Sequence, residues 1–382
     1  RPVSKRLNRR LKMKFTFDKD SMMKEIAIAQ EIIATKNVTS ILSNVLFIAE
    51  DDTLTIKATD IKVNFETKIP VEVQENGTTT VFCDKFISIL NSLPSGEIEF
   101  IQNDTTVTIK PISKKVKFQL KSMASDKFPE FASTENVPYF EIPVSELKEM
   151  INQTIFAVSD DEKRLFMNGI LFEKKGENLV MVGTDGRRLS IIQKPICQGI
   201  ADFESAIVPP KIFNIILKRA PSEGNISVAV VDKMIFFKFG TFNFTSVLID
   251  GQFPNYQRVI PETQESFFEV EKKDLVDALK RVSLFVEQKS HRVYFKIASG
   301  MLTITSQESE LGVANEEIPC MYDGPEVEMA FNYIYIEEPV KVINTERLRF
   351  EFTPSENGMK AITLKSEPVS DYLHVIMPMQ ME

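Results

Sequence analysis

Three stretches of the chain share one rhythm of apolar and polar positions. They are KFTFDKDSMMKEI from Lys14, YFEIPVSELKEMI from Tyr139 and FFEVEKKDLVDAL from Phe267. Each begins with the alternation of a strand that buries one face, then changes to helical spacing. Phe15, Phe140 and Phe268 mark these openings at separations of 125 and 128 residues. Thr59-Asp60 recurs as Thr184-Asp185, and FPEF at Phe128 recurs as FPNY at Phe253, both again 125 residues apart. One offset at three landmarks indicates an internal repeat. The third copy has Ser306-Gln307 in place of Thr-Asp and lacks the FP signature. The repeat divides the chain into domains 13–138, 139–265 and 266–382, preceded by a basic segment, 1–12.

Within each copy the pattern repeats again. Copy one predicts a strand at KFTF, a helix near 21–35, and strands at NVLFIAE, TLTIKATD and KVNFETKI. It continues with TTTVF, a second helix near 84–93, and strands at EIEFIQ, TVTIK and KVKFQL. In copy three, Leu275, Leu279, Val282 and Val286 form one apolar helical face. Each copy therefore reads as two β-α-β-β-β halves. The fold class is α+β, with helices on one side and mostly antiparallel sheets on the other.

Composition narrows the function. Over 382 residues, 43% are apolar and 26% charged, as in soluble globular chains with sizeable cores. No run of apolar residues is long enough for a membrane span. Cys83, Cys197 and Cys320 are odd in number and more than 110 residues apart. That excludes a disulfide framework and the usual zinc spacings, and it suits a reducing, cytoplasmic setting. With His291 and His374 as the only histidines, a His-based metal site or a Ser-His-Asp triad is hard to build.

The formal net charge is −8, and setting aside the six basic residues among the first twelve lowers it by six, to −14. This argues against a wholly basic nucleic-acid binder but allows positive charge confined to one face. RPVSKRLNRRLK lacks the apolar core of a secretory signal. It reads as a disordered basic tail, an extension or cloning remnant upstream of Met13, with a nucleic-acid arm as the alternative.

Asp60, Asp185 and Asp250 are the carboxylates one could imagine in catalysis. Asp185 follows a strand and precedes a glycine, which is better explained as a turn aspartate accepting backbone N–H bonds. Walker, GxGxxG, CxxC and HExxH patterns are all absent from the sequence. Three similar domains without a shared acid, base or ligand set read as a non-enzymatic scaffold with no cofactor and no metal.

MKFTF, TLTIKATD, LFMNGILFE, VGTDGRRLS, SVLIDGQFPNYQRVIP and the terminal HVIMPM, in this order, resemble the β subunits of bacterial DNA polymerase III, the β sliding clamps. The resemblance spans residues 13 to 382. It implies a head-to-tail homodimer closing into a ring of six domains around double-stranded DNA, without sequence preference. It also implies tethering of the polymerase III α subunit and other proteins with a clamp-binding motif, placement by an ATP-driven clamp loader, and no catalysis. Domain 1 of one chain would meet domain 3 of the other, a heterologous contact closed by symmetry. The basic edge KKVKFQLK (residues 114–121) would face the acidic ESELGVANEE (residues 308–317). Interface positions implied in this way are Lys85, Phe118, Leu120, Leu284, Phe285, Glu308 and Glu310.

Sliding requires weak, sequence-blind phosphate contacts, since base readout would pin the ring. Lys36, Lys163, Arg164, Lys211, Lys218, Arg219, Lys280 and Arg281, on or beside predicted helices, are the DNA-facing candidates. The family's cleft for partner peptides maps to Arg164, Met167, Thr184, Gly186, Arg187, Arg188, Leu189, Pro254, Arg258, Val259 and Met359. The terminal strand adds Val375, Ile376, Met377, Pro378 and Met379. Methionines adapt to varied apolar side chains, Gly186 admits a close approach, and arginines give directional donors. Arg187 stands where the family often has histidine and Met167 where it often has leucine, which bears on peptide preference. In TDGRRL, Asp185 then shapes the turn while Arg187 and Arg188 meet the partner. Two other readings compete: a metal-dependent hydrolase or nuclease using Asp60, Asp185 and Asp250, and a peptide-binding adaptor that forms no ring.

Overall fold

The computed structural model describes residues 12–355 and 358–381. Of the basic segment expected over 1–12, only Lys12 is included, and it opens the first strand, Lys12–Asp18.

Each copy contains the expected double β-α-β-β-β pattern. In copy one, Lys12–Asp18 leads into the helix Lys19–Ile32 and the strands Asn44–Glu50, Thr53–Thr59 and Val63–Pro70. The second half runs from Gly77–Phe82 through the helix Cys83–Ser92 to Glu97–Asn103, Thr106–Pro111 and Phe118–Met123. The first helix starts earlier than its periodicity suggests. Asp18 caps it, accepting the Ser21 N–H at 2.9 Å, and these bonds hold its carboxyl below the usual carboxylate range. It also stops at Ile32, because Ile33 is extended. A short strand that the pattern did not predict, Glu72–Glu75, pairs with the first strand.

The repeat boundaries do not coincide with compact units. Among the described residues, one unit combines those from 12 to 141 with 214–247, and the other combines 142–213 with those from 248 to 381. The cause is strand pairing across the repeat. In the first unit Phe242–Val247 pairs with Val63–Pro70, placing Phe244 opposite Phe65. In the second, Arg188–Lys194 pairs with Tyr372–Ile376, placing Leu189 opposite Val375. The middle copy thus gives one half-sheet to each neighbour.

The first unit is built on phenylalanine. Phe15, Phe47, Phe86 and Phe100 are fully buried, with Phe15 and Phe100 stacked at 4.7 Å. Each such side chain contributes about 2–3 kcal/mol of burial. The second unit carries an eight-stranded antiparallel sheet in which Asn178–Thr184, Arg188–Lys194 and Tyr372–Ile376 are neighbours. Beside it is a four-stranded sheet whose outermost strands are Asn315–Pro319 and Val327–Asn332. Its helix Lys272–Val282 buries Leu275, Ala278, Leu279 and Val282, close to the predicted stripe.

One local expectation changes. The strand expected over residues 114–121 begins only at Phe118, because residues 112–115 form a bend and 116–117 are irregular. Phe118 to Lys121 pair on one side with Thr106–Pro111, while pairing with Gly77–Phe82 reaches only Ser122 and Met123. In copy three the loop after Ser306 replaces the Thr-Asp turn. Ser306 Oγ accepts the Ala314 N–H at 2.9 Å, and Leu311 on that loop is 89% exposed.

Candidate peptide-docking cleft

The site begins with the hairpin turn between Asn178–Thr184 and Arg188–Lys194. Asp185 Oδ1 accepts the N–H groups of Arg187 and Arg188 at 2.9 and 3.0 Å, and Thr184 Oγ1 accepts that of Gly186 at 3.2 Å. Gly186 takes the left-handed conformation, φ 86°. The same turn occurs in copy one. Asp60 Oδ1 accepts from Lys62 and Val63, and Thr59 Oγ1 accepts from Ile61. Asp60 and Asp185 are therefore turn residues, whereas Asp250 lies on an exposed loop. Copy one thus has the same turn, but with Ile61 at φ 79° where copy two has Gly186.

A left-handed β-branched residue is strained, and Ile61 is 63% exposed, so little burial compensates it. Ile61→Gly is expected to stabilise the protein by about 0.5–1 kcal/mol, after the larger chain entropy of glycine is subtracted. Gly186→Ala should destabilise by a similar amount. Thermal denaturation of both variants checks the opposite signs, and a lower midpoint for Ile61→Gly would refute the argument.

Below the turn lies an apolar cluster in which Leu171, Val180, Val182, Leu189, Tyr256 and Val375 are buried. Above it opens a cavity of about 130 Å³. Ten expected residues line it: Met167, Thr184, Gly186, Arg187, Arg188, Leu189, Pro254, Val259, Val375 and Met377. Asn255 and Tyr256 join them without having been anticipated. The FPNY motif was the available signal, since its tyrosine sits two residues beyond Pro254. Val259 and Met377 are 52% and 48% exposed, so the mouth is apolar and open.

The cavity excludes six other candidates. Arg164 stands at its edge, bonded through Nε to Asp161 at 3.1 Å and close to Gly186. Arg258 is exposed in the 3-10 turn Tyr256–Val259. Ile376 points into the core and is fully buried. Pro378 and Met379 lie beyond the rim, where the Met379 N–H donates to the Ala330 carbonyl at 2.7 Å. Met359 belongs to a two-residue strand paired with Pro354–Ser355. The terminal strand thus contributes only part of what was expected of it. Val375 faces the cavity as well as the cluster, and of the last methionines only Met377 lines it.

Arg188 lines the cavity, but its guanidinium is bonded within the chain. Its side chain is 8% exposed. Nε donates to Asp185 at 3.1 Å, Nη2 donates to the Phe156 carbonyl at 2.8 Å, and Nη1 donates to Glu338. The guanidinium lies over Tyr335 at 4.6 Å. Its backbone carbonyl accepts the Thr184 hydroxyl at 2.7 Å. Behind it, His374 is buried, with Nδ1 at 2.5 Å from Ser190 Oγ and Nε2 at 3.1 Å from the Tyr335 carbonyl. Burial, reinforced by the nearby Arg188 charge, pushes the His374 imidazole down to about 3, so it is neutral. Among the described residues lining the cavity, only Arg187 presents an exposed cation.

Most of the DNA-facing candidates already carry counter-charges. Lys218 bonds Glu31 at 2.7 Å, and Arg219 pairs with the same carboxylate. Arg281 pairs with Glu316 at 2.5 Å, and Lys36 lies 3.5 Å from Asp84. Lys163 and Lys280 are exposed, and Lys211 is half-buried at the start of the helix Pro210–Arg219. Lys218, Arg219, Lys280 and Arg281 all occupy last turns of helices, where the dipole favours cations. Of the interface candidates, Leu284 and Phe285 are 79% and 39% exposed, Phe118 and Leu120 are half-buried, and Lys85, Glu308 and Glu310 are exposed.

Among the described residues no group of three His, Cys, Asp or Glu side chains could hold a metal ion. No described helix is long and apolar enough to cross a membrane.

Comparison with known proteins gives a consistent result. Consecutive parts of the chain match the N-terminal domain of the DNA polymerase III beta subunit over residues 13–132, its central domain over 141–255 and its C-terminal domain over 257–380. The chain is 46% identical over 374 residues to the beta sliding clamp of Treponema pallidum, covering 97% of this chain and all of that one. It is similar to the crystal structure of the DNA polymerase III subunit beta from Pseudomonas aeruginosa, with a TM-score of 0.90, 27% identity and coverage of 96% and 100%. The beta subunit structure from Thermotoga maritima gives 0.87 at 26% identity, with coverage of 97% and 100%.

Proposed function

Since the chain belongs to the DNA polymerase III beta subunit family, the beta sliding clamps, we propose that it is a DNA sliding clamp acting in the cytoplasm as a closed homodimeric ring. The observation that carries this reading is the run of three consecutive family matches from residue 13 to 380. A clamp confers processivity by topology. It keeps a polymerase beside its template because the ring cannot leave closed DNA, so it needs no catalytic group and no cofactor. The polymerase α subunit, the clamp loader and other motif-bearing proteins dock through short peptides in the cleft of Met167, Leu189, Val375 and Met377.

The exposed edges support the ring. The open side of Phe118 to Lys121 carries unpaired backbone groups and is flanked by Lys114, Lys115 and Lys117. The strand Asn315–Pro319 is likewise an edge, next to Glu308, Glu310, Glu316 and Glu317. Joining them between two copies would satisfy both edges, match opposite charges and cover Leu284 and Phe285.

The test is topological. The clamp, once loaded, should remain on nicked circular DNA and be lost when the circle is linearised, a difference that affinity alone cannot produce. Equal retention on both forms would overturn the ring. In the same assay Lys163→Glu with Lys280→Glu should shorten residence several-fold while the dimer mass is unchanged. The salt dependence should become shallower by about one unit for each phosphate no longer neutralised. These two cations are preferred because Lys218, Arg219 and Arg281 already serve carboxylates.

A further inference from the structure

We propose that a second cavity, behind the Pro254 to Tyr256 wall of the docking cleft, receives the flank of the same partner peptide through a side chain bearing an oxygen acceptor. The proposal rests on the cleft reading above and extends it to which partners bind best. The cavity measures about 430 Å³ and shares Pro254, Asn255 and Tyr256 with the first, so one short segment separates the two. A peptide anchored on Leu189 and Met377 has only that wall to cross.

The polar lining decides the chemistry. Glu173 accepts the Tyr256 hydroxyl at 2.7 Å, the Lys175 ammonium at 3.0 Å and the Ser205 hydroxyl at 3.1 Å. Its capacity as an acceptor is largely spent on these three. Lys175 uses one N–H on the Tyr256 oxygen at 2.6 Å and a second on Glu173, which leaves the third for a ligand. Its side chain is 43% exposed. Gln252 and Gln257 are exposed on the same lining, and their amides bond to no other described residue. The uncommitted groups are therefore an ammonium N–H, which can only donate, and two carboxamides, whose N–H groups can join it while their carbonyls can accept. They suit a carboxylate or carboxamide, and the ammonium would repel a cation. An apolar anchor and a polar flank would then be read on opposite sides of one wall.

The test uses fluorescein-labelled peptides with glutamine and leucine anchors. One is bare; others add three aspartates, asparagines or lysines at either end. Fluorescence polarisation on the wild-type clamp should show one acidic or amide extension binding about tenfold tighter than the bare peptide, with no gain from lysine. Gln252→Ala with Gln257→Ala should remove that gain and leave bare-peptide affinity within about twofold. Lys175→Met should also remove it. If Lys175→Met weakens the bare peptide as well, through its bond to Tyr256, the double glutamine variant decides. The inference is overturned if neither extension gains affinity, or if the gain survives the glutamine variant. Failure of the bare peptide to bind, or its undiminished binding after loss of Met377, would instead overturn the cleft reading. A gain for aspartate that salt abolishes, with none for asparagine, identifies a carboxylate; equal gains identify the shared acceptor.

Discussion

Removal of residues 377–382 is expected to weaken binding of a polymerase-tail peptide by at least about 100-fold, close to abolition, while the dimer persists. Met377 is the one residue of this segment that lines the cavity, and its backbone N–H donates to the Arg187 carbonyl at 3.0 Å. Burial of a methionine side chain contributes about 1.5–3 kcal/mol, and loss of one cavity wall also leaves the facing anchor wet. The strand Tyr372–Ile376 stays intact, because its pairing to Arg188–Lys194 ends at Ile376. The truncated clamp should therefore melt within a few degrees of the full chain. Met377→Ala, which keeps the backbone bond, should lose roughly tenfold. Fluorescence polarisation measures both, and unchanged affinity after truncation would exclude Met377 from the docking surface.

Arg188→Met is expected to cost about 3 kcal/mol of stability, the largest loss among the single substitutions considered. The change keeps an apolar stem but strands Asp185, Glu338 and the Phe156 carbonyl, each of which now receives a guanidinium N–H. Removing one partner from a nearly buried charged network costs far more than the net value of the interaction. Arg188→Lys should recover little, since a single ammonium cannot serve three acceptors and lie flat on Tyr335. Denaturant unfolding monitored by circular dichroism gives the number, and a loss below about 1 kcal/mol would show that the network is dispensable. Peptide affinity should fall as well, because the Thr184 to Arg188 turn forms the edge of the cavity.

These two residues mark how far the primary structure can be read. The β-α-β-β-β halves were legible because each rests on local periodicity, and the repeat was legible because Phe15, Thr59 and Phe128 each have a counterpart 125 residues on. The turn role of Asp185 was legible too, since an aspartate at a strand end bonds N–H groups only two and three residues away, and the structure extends that role to Asp60. Arg188 was not. Its deciding partner, Glu338, is 150 residues distant, and an arginine beside a glycine looks alike whether it reaches outward or lies flat against a tyrosine. The pairing of the cations was hidden in the same way, because the carboxylate that holds Lys218 and Arg219 is Glu31, on another helix. Spacing reveals what a residue does for its own element, whereas a long side chain is claimed by whatever the fold brings near it.

The strand pairing across the repeat also governs how such proteins can be recombined. A chimera that exchanges residues 139–265 as a cassette looks conservative on the repeat map. It would replace one strand of the ladder joining Phe244 to Phe65 and one strand of the ladder joining Leu189 to Val375, leaving both partners behind. Cuts at residues 141/142, 213/214 and 247/248 keep both of these ladders with a single parent each. For shuffling, the heritable module is the shared seam, and the middle copy is best treated as two half-modules.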